Sequence, residues 1–225
     1  MGEGEANSGM NGYLITFEGL DGCGKSTQVR LLSSYLRDKG IPLVVTREPG
    51  GPPISERIRE LILDRSHPEM AGLTELFLYL ASRSQHVVEV IKPALERAVL
   101  VISERFSDAS VAYQGYGREI GPEVVKGLNQ LATQGISPHL TFVLDISPQM
   151  VLERVEGCRS PDRLESQDLD FFIKVRKGYL SLAREEERIK LIDGKRKIGE
   201  VEKEIKDTVN IFLKNRLERG KNNEK

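Results

Sequence analysis

The chain has 225 residues, 39% hydrophobic and 30% charged, with a net charge of −1. Such a length and balance suit one large globular domain with a sizeable core. A near-neutral chain offers no basic field for nucleic acid, and no run nears the ~18 apolar residues of a membrane span, so neither partner is expected.

Residues 1–11 are rich in Gly, Glu and Asn without an apolar h-region, and are expected to form a disordered tail rather than a signal peptide. A first strand is predicted over Tyr13–Phe17. It runs into Gly19-Leu20-Asp21-Gly22-Cys23-Gly24-Lys25-Ser26-Thr27, which holds Gly-x-x-x-x-Gly-Lys-Ser, and a helix over Ser26–Lys39 follows, closed by Gly40. Strand, glycine-rich loop and helix are the parts of a nucleotide triphosphate site. The glycines let backbone N–H groups converge on phosphate oxygens, Lys25 can reach the β and γ oxygens, and Ser26 can ligate an accompanying Mg²⁺. The helix N-terminus adds its positive end. The chain lacks the Asn-Lys-x-Asp element that reads guanine, which argues against a nucleotide-dependent switch.

Further strands are predicted at Leu43–Thr46, Val99–Ser103, Leu140–Asp145 and Ile189–Ile192, most dense enough in Val, Ile and Leu to be buried on both faces. Helical patterns fall at Ile54–Arg65, Leu73–Ile91, Pro122–Thr133, Pro148–Val155, Leu169–Glu187 and Gly199–Asn215, with Pro93 set to kink or interrupt the chain after Ile91. The alternation predicts an α/β, P-loop NTPase fold: a five-stranded parallel sheet with helices on both faces and a mobile lid near residues 154–165. The domain spans 12–215, and 216–225 is expected to be a fraying, charged C-terminal tail. Cys23 and Cys158 make no disulfide framework and point to a cytoplasmic setting.

Ligands bind at the carboxyl edge of such sheets, where arginines, acids and glycines gather here. Thr46-Arg47-Glu48-Pro49-Gly50-Gly51 follows the second strand and places Arg47 to meet an anion. The third strand ends in Glu104, suited to hold Mg²⁺ with Ser26, and then Arg105. Tyr79 and Arg83 lie one turn apart on one helix face. Arg154, Arg159 and Arg163 flank Gly157 and Pro161 in a segment suited to a cationic lid.

These stretches together resemble thymidylate kinase: Phe-Glu-Gly-Leu-Asp-Gly-Cys-Gly-Lys-Ser-Thr (17–27), Thr-Arg-Glu-Pro-Gly-Gly (46–51), Ala-Ser-Arg (81–83), Ile-Lys-Pro-Ala-Leu (91–95), Ala-Tyr-Gln-Gly (112–115) and Asp-Arg-Leu (162–164). The resemblance implies transfer of the γ-phosphoryl of ATP·Mg²⁺ to dTMP by a homodimer. By the same analogy Asp21 accepts a hydrogen bond from the acceptor's 3′-hydroxyl, and Arg47 and Arg105 hold its phosphate. Tyr79 stacks on thymine, Arg83 meets its carbonyl edge, Ser110 and Gln114 line the base pocket, and Tyr113 lies where a 2′-hydroxyl would intrude. Gly22 stands where some relatives carry a loop arginine, so Arg154, Arg159 and Arg163 are expected to supply that charge, Arg159 and Arg163 at the transferring group beside Lys25 and Arg105. Three departures stand out: Glu104 for the usual Asp, Tyr79 for the common Phe, and Asp193-Gly194-Lys195-Arg196 near the adenine. The acceptor alternative is another pyrimidine monophosphate or a deoxynucleoside.

Overall fold

The computed structural model describes residues 12–156 and 162–223. The expected tail over 1–11 lies outside them. Five strands form one parallel sheet: β1 (Leu14–Glu18), β2 (Leu43–Arg47), β3 (Leu100–Glu104), β4 (Leu140–Asp145) and β5 (Ile189–Asp193), in the order β2-β3-β1-β4-β5. β1 pairs with β3 on one side and β4 on the other, so strand order reverses at its end, where a crevice opens. The register brings Arg47 of β2 beside Glu104 of β3, and Phe17 beside Glu104 from the other side.

Alternate residues of the inner strands feed two apolar layers. Ile15, Phe17 and Ile102 join Val29, Leu32 and Leu36 of α1 (Lys25–Asp38), while Leu14 and Val101 join Val87, Ile91 and Leu95 on the opposite face. Every residue of β1 is buried, as expected for a strand covered on both faces. β2 and β5 differ from that expectation: Val45 and Leu191 are exposed because these strands form the sheet edges.

The remaining helices are α2 (Pro53–Leu63), α3 (Gly72–His86), α4 (Lys92–Glu96), α5 (Ser107–Ser110), α6 (Pro122–Ala132), α7 (Pro148–Glu156), α8 (Leu169–Glu185) and α9 (Ile198–Asn223). Pro93 does not end the helical run. A π turn over Val87–Ile91 passes its hydrogen bonding to i−5, with Lys92 N–H donating to Val87, and the chain enters α4 across the proline that lacks an N–H. A second π turn, Val111–Gly117, continues α5 and had no counterpart among the predicted elements. α9 continues to Asn223, into the segment from residue 216 that was expected to be a fraying helix end and charged tail. No helix among the described residues is long and apolar enough to cross a membrane.

Candidate active site

The Gly-rich loop leaves β1 at the reversal point and ends in α1, whose N-cap is Gly24 in the left-handed region. Gly19 is required twice over. Its φ is +129°, and an added Cβ would stand 2.6 Å from the Leu144 carbonyl oxygen of β4. Lys25 is buried and folds over the loop, donating to the carbonyls of Gly19 (3.2 Å) and Leu20 (2.9 Å). Ser26 Oγ donates to Glu104 Oε1 at 3.0 Å, so the hydroxyl and carboxylate expected at a metal meet beside the loop. Burial pushes the Cys23 thiol up, which keeps it neutral within the loop.

Asp21 reaches out of the loop to the end of β3. Arg105 Nη2 donates to its Oδ1 at 2.8 Å and the Tyr113 hydroxyl to its Oδ2 at 3.1 Å. Burial opposes ionisation of Asp21, but the charges of Arg105 and Lys25 prevail and hold its carboxyl well below the usual range. Arg105 also donates to the hydroxyls of Tyr113 (3.0 Å) and Tyr179 (3.2 Å), and its guanidinium lies 4.8 Å from the Tyr113 ring centre. Its backbone is strained, with φ +68° in a residue that is not glycine. Two bonds keep it there: its N–H to Phe17 and its carbonyl to Ser103 Oγ at 2.7 Å. Tyr179 in turn donates to Glu18 Oε2 (2.9 Å), while Glu18 Oε1 accepts the Phe106 N–H (2.7 Å). Desolvation, with help from the Asp108 charge, pushes Glu18 up to about 7.

Behind this group Arg83 is fully buried and nearly saturated. Nε donates to Glu48 (2.7 Å), Nη1 to Ser110 Oγ (2.9 Å) and Asn129 Oδ1 (2.6 Å), and Nη2 to the Phe106 carbonyl (2.9 Å). Glu48 accepts from His86 Nδ1 at 2.9 Å, and His86 Nε2 lies 2.6 Å from Thr46 Oγ1. Burial opposes the Glu48 charge, yet Arg83 and His86 hold its carboxyl below the ordinary value. Gly51 (φ +99°) presses on this histidine so closely that a Cβ would stand 2.9 Å from Cδ2.

Asp21, Arg47, Tyr79, Arg83, Glu104, Arg105, Ser110, Tyr113 and Gln114 line one cleft, joined by Glu48, Arg59, Asp162 and Leu164. With open solvent at its mouth it encloses about 680 Å³. Every residue that the resemblance assigned to the acceptor is thus in one place. Arg47 stands at the rim, half-exposed, with Nη2 donating to both oxygens of Glu56 at 2.9 Å. Burial, and then the Glu75 charge, push the Tyr79 hydroxyl above its ordinary value. A second cleft on the other side of the loop is lined by Gly24, Thr27, Gln28, Gly194, Arg196 and Ile198, and takes in part of the Asp193–Arg196 segment.

Of the three arginines expected in the lid, only Arg163 has its side chain among the described residues. Arg159 and the Arg154 side chain lie outside the described residues. Arg163 is 5% exposed, donates through Nε to the Ile62 carbonyl (2.8 Å) and pairs through Nη2 with Glu75 (2.8 Å). A carboxylate with no exposure draws in cations, and here Glu75 holds Arg163. Sequence reasoning passed over Glu18, Glu48, Glu75, Asn129 and Tyr179, which support the lining residues without being obvious ligands themselves. Glu75 carried one available signal: it lies four residues before Tyr79 on the same face of α3.

The family model described as thymidylate kinase matches residues 17–205. The chain is 47% identical over 199 residues to the thymidylate kinase of Fervidobacterium nodosum, covering 88% of this chain and 99% of that protein. It is 46% identical over 206 residues to that of Caldanaerobacter subterraneus, covering 91% and 98%. Among solved structures, the thymidylate kinase of Ehrlichia chaffeensis superposes with a TM-score of 0.72 at 33% identity, over 88% of this chain and 98% of that one. A phosphate loop at the strand reversal, an arginine- and tyrosine-lined cleft against it, and relatives matched across nearly their whole length converge: this chain belongs to the thymidylate kinase family.

Proposed function

We propose that this protein transfers the γ-phosphoryl of ATP to dTMP, giving dTDP and ADP. One observation carries the reading. Asp21 of the phosphate loop and Arg105 of β3 meet at 2.8 Å at the boundary of a cleft whose wall holds Tyr79, Arg83 and Gln114. A nucleotide with its base on that wall would bring its phosphate toward the loop.

The acceptor phosphate is largely a dianion near neutral pH, so no general base is needed. The difficulty is to bring two anions together, which repel by roughly 4 kcal/mol at 4 Å and an effective dielectric near 20. Lys25 exchanges the Gly19 and Leu20 carbonyls for phosphate oxygens. Arg105, held by four separate contacts, presents a fixed cation at the meeting point. Arg47 closes on the acceptor phosphate from the rim, and Asp21 accepts the sugar hydroxyl. Ser26 and Glu104 fit Mg²⁺, because a hydroxyl and a carboxylate 3.0 Å apart are hard oxygen donors and this ion commonly takes its other ligands from water and phosphate. Bound there, it would offset charge on the β and γ oxygens of the donor. We further assign a cytoplasmic homodimer, supported by two cysteines without a disulfide framework and by exposed Leu73 and Phe77 one turn apart on α3.

The test is turnover with ATP and Mg²⁺ on dTMP, dUMP, dCMP, UMP, CMP, AMP and thymidine, with products resolved by chromatography. dTMP should be fastest, with little ATP hydrolysis when no acceptor is present. Fastest turnover of any other acceptor overturns the assignment.

A further inference from the structure

Glu75 sits in the first turn of α3 with no solvent exposure and does not line the cleft. Its Oε1 accepts from Gln114 Nε2 (2.9 Å) and Arg118 Nε (3.2 Å), and its Oε2 from Arg118 Nη2 (2.9 Å). The forked contact with Arg118 fixes the carboxylate plane, and Arg163 lies against Oε2 as a second cation.

The chemistry of that carboxylate has a consequence for Gln114. An ionised carboxylate only accepts hydrogen bonds, so the amide atom facing it must be the NH₂ group. The other end of the amide, Oε1, takes no hydrogen bond from any described residue, and Gln114 lines the cleft. Gln114 is thereby set as an acceptor toward a ligand. Arg83 is set in the opposite sense. Its Nε and both Nη1 hydrogens are engaged, and Nη2 uses one of its two on Phe106, which leaves one donor.

Both side chains line the same cleft, and one donor with one acceptor on its wall is complementary to a pyrimidine with a 4-carbonyl and an N3–H. It opposes a pyrimidine with a 4-amino group and a bare N3, where donor would meet donor and acceptor would meet acceptor. We propose that Glu75, which touches no substrate, is a specificity-determining positioning residue: it locks the Gln114 amide so that the cleft accepts 4-oxo and rejects 4-amino pyrimidine nucleotides. The inference rests on the dTMP reading above. Glutamine at position 75 can donate or accept, and would let the Gln114 amide face either way.

The experiment measures kcat/KM for dTMP and for dCMP in the unsubstituted protein and in E75Q. The ratio of the two constants should fall at least tenfold in E75Q. A merely structural role would lower both constants by the same factor, and a ratio within twofold of the original overturns the proposal. Because E75Q leaves a buried arginine without its partner, the same ratio is read in E75Q/R163Q, which removes one charge of each sign. A readout on the unsubstituted protein needs no variant: the Gln114 side-chain NH₂ should exchange slowly with solvent before any nucleotide is added, and fast exchange overturns the lock. Failure of the unsubstituted protein to use dTMP defeats the functional reading itself. Good dTMP turnover with an unmoved ratio defeats only the role of Glu75.

Discussion

Replacing Arg105 by alanine and, separately, by glycine separates its two properties. Its side chain bridges Asp21, Tyr113 and Tyr179, and its backbone is pinned at φ +68° by Phe17 and Ser103. Both substitutions remove the same guanidinium. Loss of an arginine at a transferring phosphoryl group costs on the order of 10³-fold in kcat, or about 4 kcal/mol of barrier. The two variants should therefore be equally slow with saturating ATP and dTMP. They should not be equally stable. Alanine in the left-handed region costs roughly 1–2 kcal/mol, whereas glycine avoids that cost and forfeits about 0.4–1 kcal/mol through its freer unfolded chain. The net difference is roughly 0.5–1 kcal/mol in favour of glycine, or about 1–4 °C in melting temperature for a chain of this size. Steady-state kinetics with thermal melts at one protein concentration provide both numbers. If either variant keeps kcat within tenfold, or loses only KM for dTMP, the contact with the transferring group is wrong. If R105G melts below R105A, the strain argument is wrong.

Two further outcomes follow from the same cluster. D21A should weaken use of dTMP far more than binding of ATP, measured by kcat/KM for the acceptor against a titration with a non-hydrolysable ATP analogue; equal losses would mean that Asp21 serves both substrates and is not an acceptor contact in particular. Glu18 titrates at about 7 in the fold against an ordinary 4.5, so the folded state holds this proton more tightly than the unfolded chain. Its contribution favours the fold fully below pH 4.5 and is lost as pH rises to about 7, a change of roughly 3 kcal/mol. Urea denaturation of the protein and of E18Q across that window should show the substituted protein flatter by a comparable amount, and parallel curves would contradict the assignment.

What was legible beforehand follows from how local the causes are. The phosphate loop, the strand before it and the helix after it are written in consecutive residues, because glycine spacing and strand-to-helix periodicity act over short range. Strand burial was legible only in part. Val45 and Leu191 belong to apolar segments indistinguishable by composition from β3, and only strand order makes them edge residues. The π turn over Val111–Gly117 was hidden for a related reason: it is specified by packing against α6 and α8 rather than by its own pattern. Arg163 shows the limit most clearly. An arginine beside Asp162 and Pro161 has the composition of a lid residue, but it is paired with Glu75, 88 positions away in the chain, whose one local signal was its place on the Tyr79 face of α3.

The cleft wall and the layer behind it hold charges that satisfy one another before any ligand arrives. Glu48 with Arg83, Asp21 with Arg105 and Glu75 with Arg118 are three ion pairs drawn from separate elements of the sheet and its helices. Buried pairs of this kind add little net stability, since desolvation consumes most of the attraction. Their contribution is orientation. Each carboxylate turns a partner that would otherwise sample several rotamers into a donor or acceptor at one place, so the reorganisation on binding is small. That predicts an asymmetry among conservative changes. Replacing a carboxylate by its amide alters the chain's shape little, yet it frees the partner's orientation, so E48Q should raise KM for dTMP through Arg83 while leaving ATP binding intact. Equal effects on both substrates would mean that Glu48 holds the fold rather than aims the arginine.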